Sequence, residues 1–456
     1  MPSPPVVQYA SRTDVGKRRS ANQDSLAVRL CTDYDEWHRC GHLFVVADGM
    51  GGHAVGDIAS RITVDTLPHA YFKRDAPSVQ SRMRQAIYAA NKAINDRGRE
   101  NREFEGMGTT CSVLSLAEDG ATIGHVGDSR VYRVRQGRIE QLTFDHSLQW
   151  EMIRLGRATV ENVELFHPRN VITRCLGPDP LVQVDIEGPF SVEAGDHFVL
   201  CSDGLTNHVT DAEIGQAVAS LPPAESSRLL INLANCRGGS DNSTVVVIGI
   251  DSYPATVTEQ AEPTNSANLD RTLDIPGKPS IVPQILLAGT AVVCLLGGIT
   301  LGVMEKFIPS VILVAASVLS WLISRRIVSR SSAESSEDFA TGATTLDATG
   351  LLIDSFKEPS SSRPAVPHTA FNPKSPYRVI NAAVSDDFLS YLAEVQSDLV
   401  QAARDSAWDV DFQEVTTLSK QATAAQQSGK TSQTIKSRAK AIDLLMREMY
   451  QRSRST

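Results

Sequence analysis

At 456 residues the chain exceeds a single ordinary domain of ~100–200 residues. Its net charge of −9 excludes a general nucleic-acid binder, which shows a basic face. Seven cysteines, scattered and without a CxxC pair, exclude a zinc ribbon or a disulfide framework and suit reduced thiols in a cytosol.

The opening stretch "MPSPPVVQYASRTDVGKRRS" has no apolar core behind its charges, so no cleavable signal peptide is expected. From there to about residue 250 short apolar runs alternate with helical patterns. The runs are "LFVVA", "TTCSVLSL", "ATIGHVG", "VYRVRQGRIEQL", "HFVLC" and "TVVVIGI", several alternating with period two as a half-buried strand does. Gln136-Gly137 reads as a hairpin turn. Helices are expected near 56–67, 78–98, 147–156 and 223–235; in the second, Met83, Ile87, Ala90 and Ile94 recur at three and four. These elements predict a domain of mixed or antiparallel sheets flanked by helices, spanning 1–250.

Residues 251–280 are polar and Pro-containing, a linker. No charged residue then occurs between Lys278 and Glu305, nor between Lys306 and Arg325. Each run is long enough for a ~20-residue membrane helix. Two transmembrane helices over 281–325 are expected, as antiparallel neighbours across the short "EKFIPS" loop, with Gly298 and Gly302 as a GxxxG packing motif. A buried helical hairpin in a soluble core is the alternative, disfavoured because neither run has a polar face. Arg325, Arg326 and Arg330 follow the second span and Arg271 and Lys278 precede the first, so both long ends are expected in the cytoplasm. Residues 331–376, rich in Ser, Thr, Ala and Pro, read as a disordered tether. From 377 to 456 the pattern is helical, with Phe388, Leu392, Val395 and Leu399 on one face and two further helices joined near Gly429. A small self-contained bundle is expected there; a partner-binding hairpin is the alternative.

Four aspartates stand at strand ends. Asp48 follows "LFVVA", Asp128 follows "ATIGHVG", Asp203 follows "FVLCS" and Asp241 precedes the last strand of this region. Asn22-Gln23-Asp24 lies upstream. Carboxylates converging in one cleft repel one another unless cations intervene, and Mg²⁺ and Mn²⁺ prefer oxygen ligands. The glycines beside Asp48 and Asp203 allow close backbone approach. No His/Cys cluster suggests zinc, and His53, His125 and His146 read singly as surface or core histidines.

The motifs "RSANQDS" (19–25), "VADGMGG" (46–52), "GTTCSVLSL" (108–116), "GDSRVYRV" (127–134), "LTFDHSL" (142–148), "HPRNVITRCLG" (167–177), "LCSDGLTNHV" (200–209) and "GGSDNSTVVVI" (238–248) occur in order. Together they resemble the metal-dependent protein serine/threonine phosphatases of the PPM or PP2C family in its bacterial form, over roughly residues 8–250. The resemblance implies an α+β fold, a β-sandwich flanked by helices (α-β-β-α), with a two-metal site at one end. It implies that Asp48 bridges two Mn²⁺ or Mg²⁺ ions with the Gly49 carbonyl on one of them, and that Asp203 and Asp241 complete the pair. Asp128, with Asp203, matches the holder of a third, weaker ion, and Asp24 the acidic residue beside the pair. Arg19 matches the arginine that grips the substrate phosphate. Met50 stands where many eukaryotic members carry a histidine, and Gln23 where they carry a second carboxylate, so the proton for the leaving group is left to water or another group. Residues 145–174 match a flap beside the cleft.

The implied function is hydrolysis of phosphoserine and phosphothreonine on proteins in the cytosol, opposing a Ser/Thr kinase, from a membrane-anchored enzyme whose C-terminal helices recruit a protein partner. The alternative is a catalytically inactive scaffold that binds phosphoproteins at the membrane. A two-metal nuclease is disfavoured by the acidic balance.

Overall fold

The computed structural model describes residues 4–51, 55–73, 76–158, 168, 171–254 and 379–453. The two spans expected over 281–325, the tether over 331–376 and nearly all of the 251–280 linker lie outside the described residues. Among the described residues no helix is long and apolar enough to cross a membrane.

The chain begins with β1 (Val7–Asp14), β2 (Asp24–Arg29), α1 (Tyr34–Cys40), β3 (His42–Met50), α2 (Gly56–Lys73) and α3 (Val79–Glu100). Next come β4 (Gly108–Thr109), β5 (Cys111–Ala117), β6 (Gly120–Val126), β7 (Arg130–Arg135) and β8 (Arg138–Gln141). Then follow α4 (Leu148–Arg154), β9 (Asp185–Phe190), β10 (His197–Cys201), the single turn α5 (Asp203–Thr206), α6 (Asp211–Ser220), α7 (Pro223–Cys236) and β11 (Ser243–Ile250). The last described stretch holds β12 (Val379–Asn381), α8 (Asp386–Asp405), α9 (Phe412–Gln427) and α10 (Thr431–Ser453).

The strands form two antiparallel sheets. One runs β1-β11-β10-β7-β8-β12, the other β2-β3-β5-β6-β9 with β4 paired to the end of β3. Alternate residues of one strand serve different layers. Phe44 and Val46 of β3 join Leu114, Leu116, Phe198, Leu200, Val246 and Ile248 in the layer between the sheets. Leu43 and Val45 turn the other way, into the layer they share with Ala59, Leu67 and Tyr71 of α2. Covered on both faces, β5, β6 and β11 are buried at every position. That double burial explains why "TVVVIGI" is a continuous apolar run where a half-buried strand would alternate. The Gln136-Gly137 turn joins β7 to β8 with both residues in the left-handed region, φ 49° and 73°.

Helix α3 starts at Ser78, whose hydroxyl accepts from the Ser81 amide, and buries the four residues that its spacing singles out. Helices α1, α5 and α6 and strands β1, β2, β9 and β12 had no anticipated counterpart. The C-terminal helices also depart from expectation. Met1–Val257 and Pro367–Thr456 make one compact unit. Phe388, Leu392, Ile442 and Leu445 enter the same apolar cluster as Ile214, Leu230 and Leu233 of α6 and α7. They are therefore continuous with the sandwich core and do not form a self-contained bundle. Strand β12 extends the first sheet by pairing Ile380 with Ile139, and the Ala382 amide donates to the Gly137 carbonyl at 2.8 Å. A Cβ on Gly215 of α6 would collide with Ala382 and Ile139, so this glycine permits the close approach. Arg228 of α7 pairs with Asp443 of α10 at 3.0 Å.

Because the two regions share a core, Leu392→Ala, at a fully buried position, is expected to cost about 2–5 kcal/mol for the whole unit. Urea unfolding followed by near- and far-ultraviolet circular dichroism should shift as one transition; an early, separate loss of helix signal would show two independently folding parts.

Candidate active site

The strands bring their acidic ends to one edge of the sandwich. Asp24 opens β2 and lies directly opposite Asp48 in the β2–β3 ladder. The Asp48 backbone is held on both sides: its amide donates to Thr110 Oγ1 at 2.9 Å, and its carbonyl accepts from the Thr110 amide at 2.8 Å and from Thr109 Oγ1 at 2.9 Å. Its side chain is thus fixed by strand geometry, not by a flexible loop. Gly49 and Gly56 approach so closely that a Cβ on either would overlap the other's backbone. This packing draws the start of α2 against the end of β3.

Asp203 is the first residue of α5, where backbone N–H groups favour negative charge. Gly204 presses against the Asn242 carbonyl so tightly that a Cβ there would collide with it, which ties the Asp203 and Asp241 segments together. Asn207 Nδ2 donates to Asp203 Oδ2 at 3.1 Å. Asp128 is buried after the Gly127 turn, where φ is +112° and a Cβ would strike Thr110.

The five aspartates feel one another. Burial comes first in raising the Asp24 carboxyl to about 6, with Asp203 and Asp241 adding to it. Burial likewise lifts Asp48 well above the usual carboxylate range, helped by Asp24, Asp203, Asp128 and Asp241. Asp203 is raised by burial and by Asp241, while the Asn207 side chain works the other way. Asp128 is pushed up to about 8 by burial, Asp203 and Asp145. Two oxygens in this group, Asp24 Oδ1 and Asp128 Oδ1, are buried without a hydrogen-bond partner. Asp24 Oδ2 accepts from the Ser202 hydroxyl at 2.8 Å.

Among the described residues no group of three or more His, Cys, Asp or Glu side chains is already arranged to hold a metal ion. The fit to cations rests instead on the donor chemistry: crowded carboxylates, orphaned oxygens and no sulfur or imidazole ligand among them. Such an oxygen-rich set suits Mg²⁺ or Mn²⁺.

Arg19 is exposed at the rim and pairs with Asp241 at 2.7 Å. It is a cationic side chain paired directly with one of the five aspartates, in position to meet an anionic ligand that approaches them. Asn242, given no role from sequence, organises this rim. Its Nδ2 donates to the Val15 and Ala21 carbonyls at 2.9 and 3.0 Å, and its Oδ1 accepts from the Gln23 amide at 2.8 Å. One side chain thereby closes the loop that carries Arg19 against the segment that carries Asp241. The available signal was a polar residue at the entrance to a wholly buried strand.

The histidines near the motifs serve structure. His125 is fully buried, and burial with its neighbour His146 lowers it to about 3, so it stays neutral. His146 Nδ1 accepts from the Gly127 amide at 3.0 Å, which leaves Nε2 to donate to Asp185 at 2.9 Å. His53 lies outside the described residues, as does the middle of the expected flap; at the flap's near end Arg174 pairs with Asp185 at 3.1 Å.

The family profile described as "Protein phosphatase 2C" matches residues 16–226. A protein phosphatase 2C-type protein of Streptococcus pyogenes is 37% identical over 246 residues, covering 53% of this chain and 97% of its own length. Protein phosphatase PhpP of Streptococcus pneumoniae is 35% identical over 248 residues, covering 53% and 97%. A solved structure, the catalytic domain of serine threonine protein phosphatase PstP in complex with two manganese ions, is 33% identical, covers 54% of this chain and 98% of its own, and superposes with a TM-score of 0.46.

The crowding of carboxylates predicts a pH signature in cation-free protein. Asp128 has its folded-state value raised, so its protonated form favours folding below about pH 4, and that contribution is lost as pH rises toward about 8. Asp128→Asn should therefore raise the melting temperature in EDTA most at pH 8 and above, by roughly 2–4 °C per kcal/mol relieved, with the gain vanishing near pH 4. Scanning calorimetry across that range checks it; an equal or opposite shift at both ends would contradict the burial.

Proposed function

Because the chain belongs to the protein phosphatase 2C family, we propose that it hydrolyses phosphoserine and phosphothreonine esters of proteins, with two Mn²⁺ or Mg²⁺ ions at the aspartate cluster and a membrane anchor that keeps the catalytic unit in the cytoplasm. One observation carries the chemical part: the buried Asp24 and Asp128 crowd the half-buried Asp48 and Asp203, with two carboxylate oxygens unpaired, beside an exposed arginine. Such a group is costly to keep unless cations offset its charge.

Asp48, Asp203 and Asp241, with the Gly49 carbonyl, would hold the two ions, with Asp24 beside them and Asp128 with Asp203 holding a third, weaker one. Bound there, the ions supply a water of lowered pKa and neutralise charge on a phosphate ester. The protein's own groups do the rest. Arg19 offers guanidinium N–H groups that can hold phosphoryl oxygens and offset charge as the ester bond breaks. Asn242 keeps Arg19 and Asp241 in register by closing their two segments. The Thr109 and Thr110 hydroxyls hold the Asp48 backbone, so the carboxylate is aimed before substrate arrives. Met50 has no proton to give, so the proton for the departing serine or threonine oxygen comes from water or another group.

The anchor is the pair of uncharged runs over 281–325, with arginines after the second and Arg271 and Lys278 before the first. Buried thiols agree with a reducing compartment: Cys111 is lifted to about 12 by burial and stays protonated. Phosphoproteins made by a Ser/Thr kinase near the membrane are the proposed substrates.

The full chain should release phosphate from a phosphothreonine peptide with Mn²⁺, stop in EDTA and recover on Mn²⁺ addition. Asp241→Asn should lower kcat about 100-fold or more, ~2.7 kcal/mol of transition-state stabilisation. Arg19→Ala should both raise KM and lower kcat, each by about 10-fold, because the guanidinium holds the bound phosphate and offsets charge as the ester bond breaks. Activity that persists without metal would refute the mechanism, and a folded, Mn²⁺-loaded protein without turnover would favour a phosphoprotein-binding scaffold. For the anchor, protease outside intact cells should leave both soluble regions uncut; cleavage within 1–250 refutes the orientation.

A further inference from the structure

We propose that the C-terminal helices supply two positioning residues to the catalytic centre, Tyr450 and Tyr391, which fix the segments that carry Arg19 and Asp241. The proposal deepens the phosphatase reading and rests on it for its kinetic arm.

The segment leading into Asp241 is Gly238-Gly239-Ser240, and both glycines have positive φ, +114° and +45°. Such backbone has no intrinsic preference that would hold Asp241 in one place. Asn242 holds the segment on its far side, and on the near side two tyrosines from α8 and α10 stand at its anchor points. The Tyr450 hydroxyl accepts from Asn235 Nδ2 at 2.6 Å, and the same amide group donates its other hydrogen to Asp14 Oδ1 at 3.0 Å. Asp14 Oδ1 also takes the Gly16 amide at 2.9 Å, at the start of the Arg19 segment. The Tyr450 ring lies under Lys17, with Nζ 4.5 Å from its centroid, and the Lys17 amide donates to the Gly239 carbonyl at 2.7 Å. Tyr450 therefore braces both segments from below.

Tyr391 braces the other end. Its hydroxyl accepts from Arg237 Nε at 2.8 Å and its ring lies 4.2 Å from the guanidinium carbon. Arg237 immediately precedes Gly238. Its NH1 donates to the His208 carbonyl at 2.6 Å, and His208 Nε2 meets Ser240 Oγ at 2.8 Å. Both routes converge on the Arg19–Asp241 pair at 2.7 Å.

The test uses the full chain with Tyr450→Ala, Tyr450→Phe and Tyr391→Phe, read by amide hydrogen exchange, by calorimetric titration with MnCl₂ and by phosphopeptide kinetics. Tyr450→Ala should speed exchange at 16–23 and 238–242 and weaken Mn²⁺ binding about 3- to 10-fold, the worth of one or two hydrogen bonds, while protection across 431–446 is retained. KM for the phosphopeptide should rise by more than kcat falls. Tyr450→Phe, which keeps the ring over Lys17, should show part of the effect, and Tyr391→Phe should act on 238–242 alone. Unchanged loop exchange and Mn²⁺ affinity in Tyr450→Ala and Tyr391→Phe would overturn the proposal. If Tyr450→Ala also loses protection in α10, Tyr450→Phe decides: docked helices with wild-type loop exchange overturn it. A wild-type protein that binds Mn²⁺ without turnover would sink the phosphatase reading, and exchange and calorimetry would still decide the bracing.

Discussion

Carboxylates gathered out of water repel one another, and the protein arranges five of them at one edge of its sandwich. That repulsion is the constraint to which the rest of the fold answers. No flexible loop could hold such a group together, because its side chains would swing apart into solvent. Here the work is done by strand ends and strand-to-helix junctions locked through their backbones. Asp24 and Asp48 face each other across a ladder, and Asp203 heads a helical turn whose Gly204 is pressed into the Asn242 carbonyl. The three apolar layers supply the rigidity that the charge cluster spends.

The architecture also explains why the site draws on distant sequence. Strands β2 and β3 belong to one sheet, and β10 and β11 to the other. Asp24 and Asp48 thus come from one layer, and Asp203 and Asp241 from the other, so the charged group bridges the two sheets. Any change in their packing would alter distances within it. The central layer of Phe44, Phe198, Leu200 and Val246 therefore matters for chemistry as well as stability.

Much of this was legible in the sequence because its signals were local. An apolar run that meets Asp-Gly marks the last part of a strand, although β3 runs on through Asp48 and Gly49 to Met50, and Met83, Ile87, Ala90 and Ile94 mark a helix face. Gln136-Gly137 marks a hairpin because its backbone demands positive φ. What escaped was non-local. The amphipathic face of "SDDFLSYLAEVQSDLV" says that something covers it, but not whether that cover is its own bundle or α6 and α7. Strand β12 is three residues long and has no pattern apart from its partner β8. Asn242 reads as one more polar residue in a turn; its role lies in hydrogen bonds to Val15, Ala21 and Gln23, more than two hundred positions earlier. The alternation expected of half-buried strands gave way to continuous burial, because helices cover the outer faces as well.

The return of the chain to its own sheet has a topological consequence. Residue 254 leaves the folded unit beside β11, and residue 379 re-enters it as the neighbour of β8. Both ends of the intervening stretch are moored to the same body. Whatever excursion the chain makes between them must come back to the side from which it set out. A load applied along that stretch would therefore reach one folded body at two separate points, after β11 and at β12.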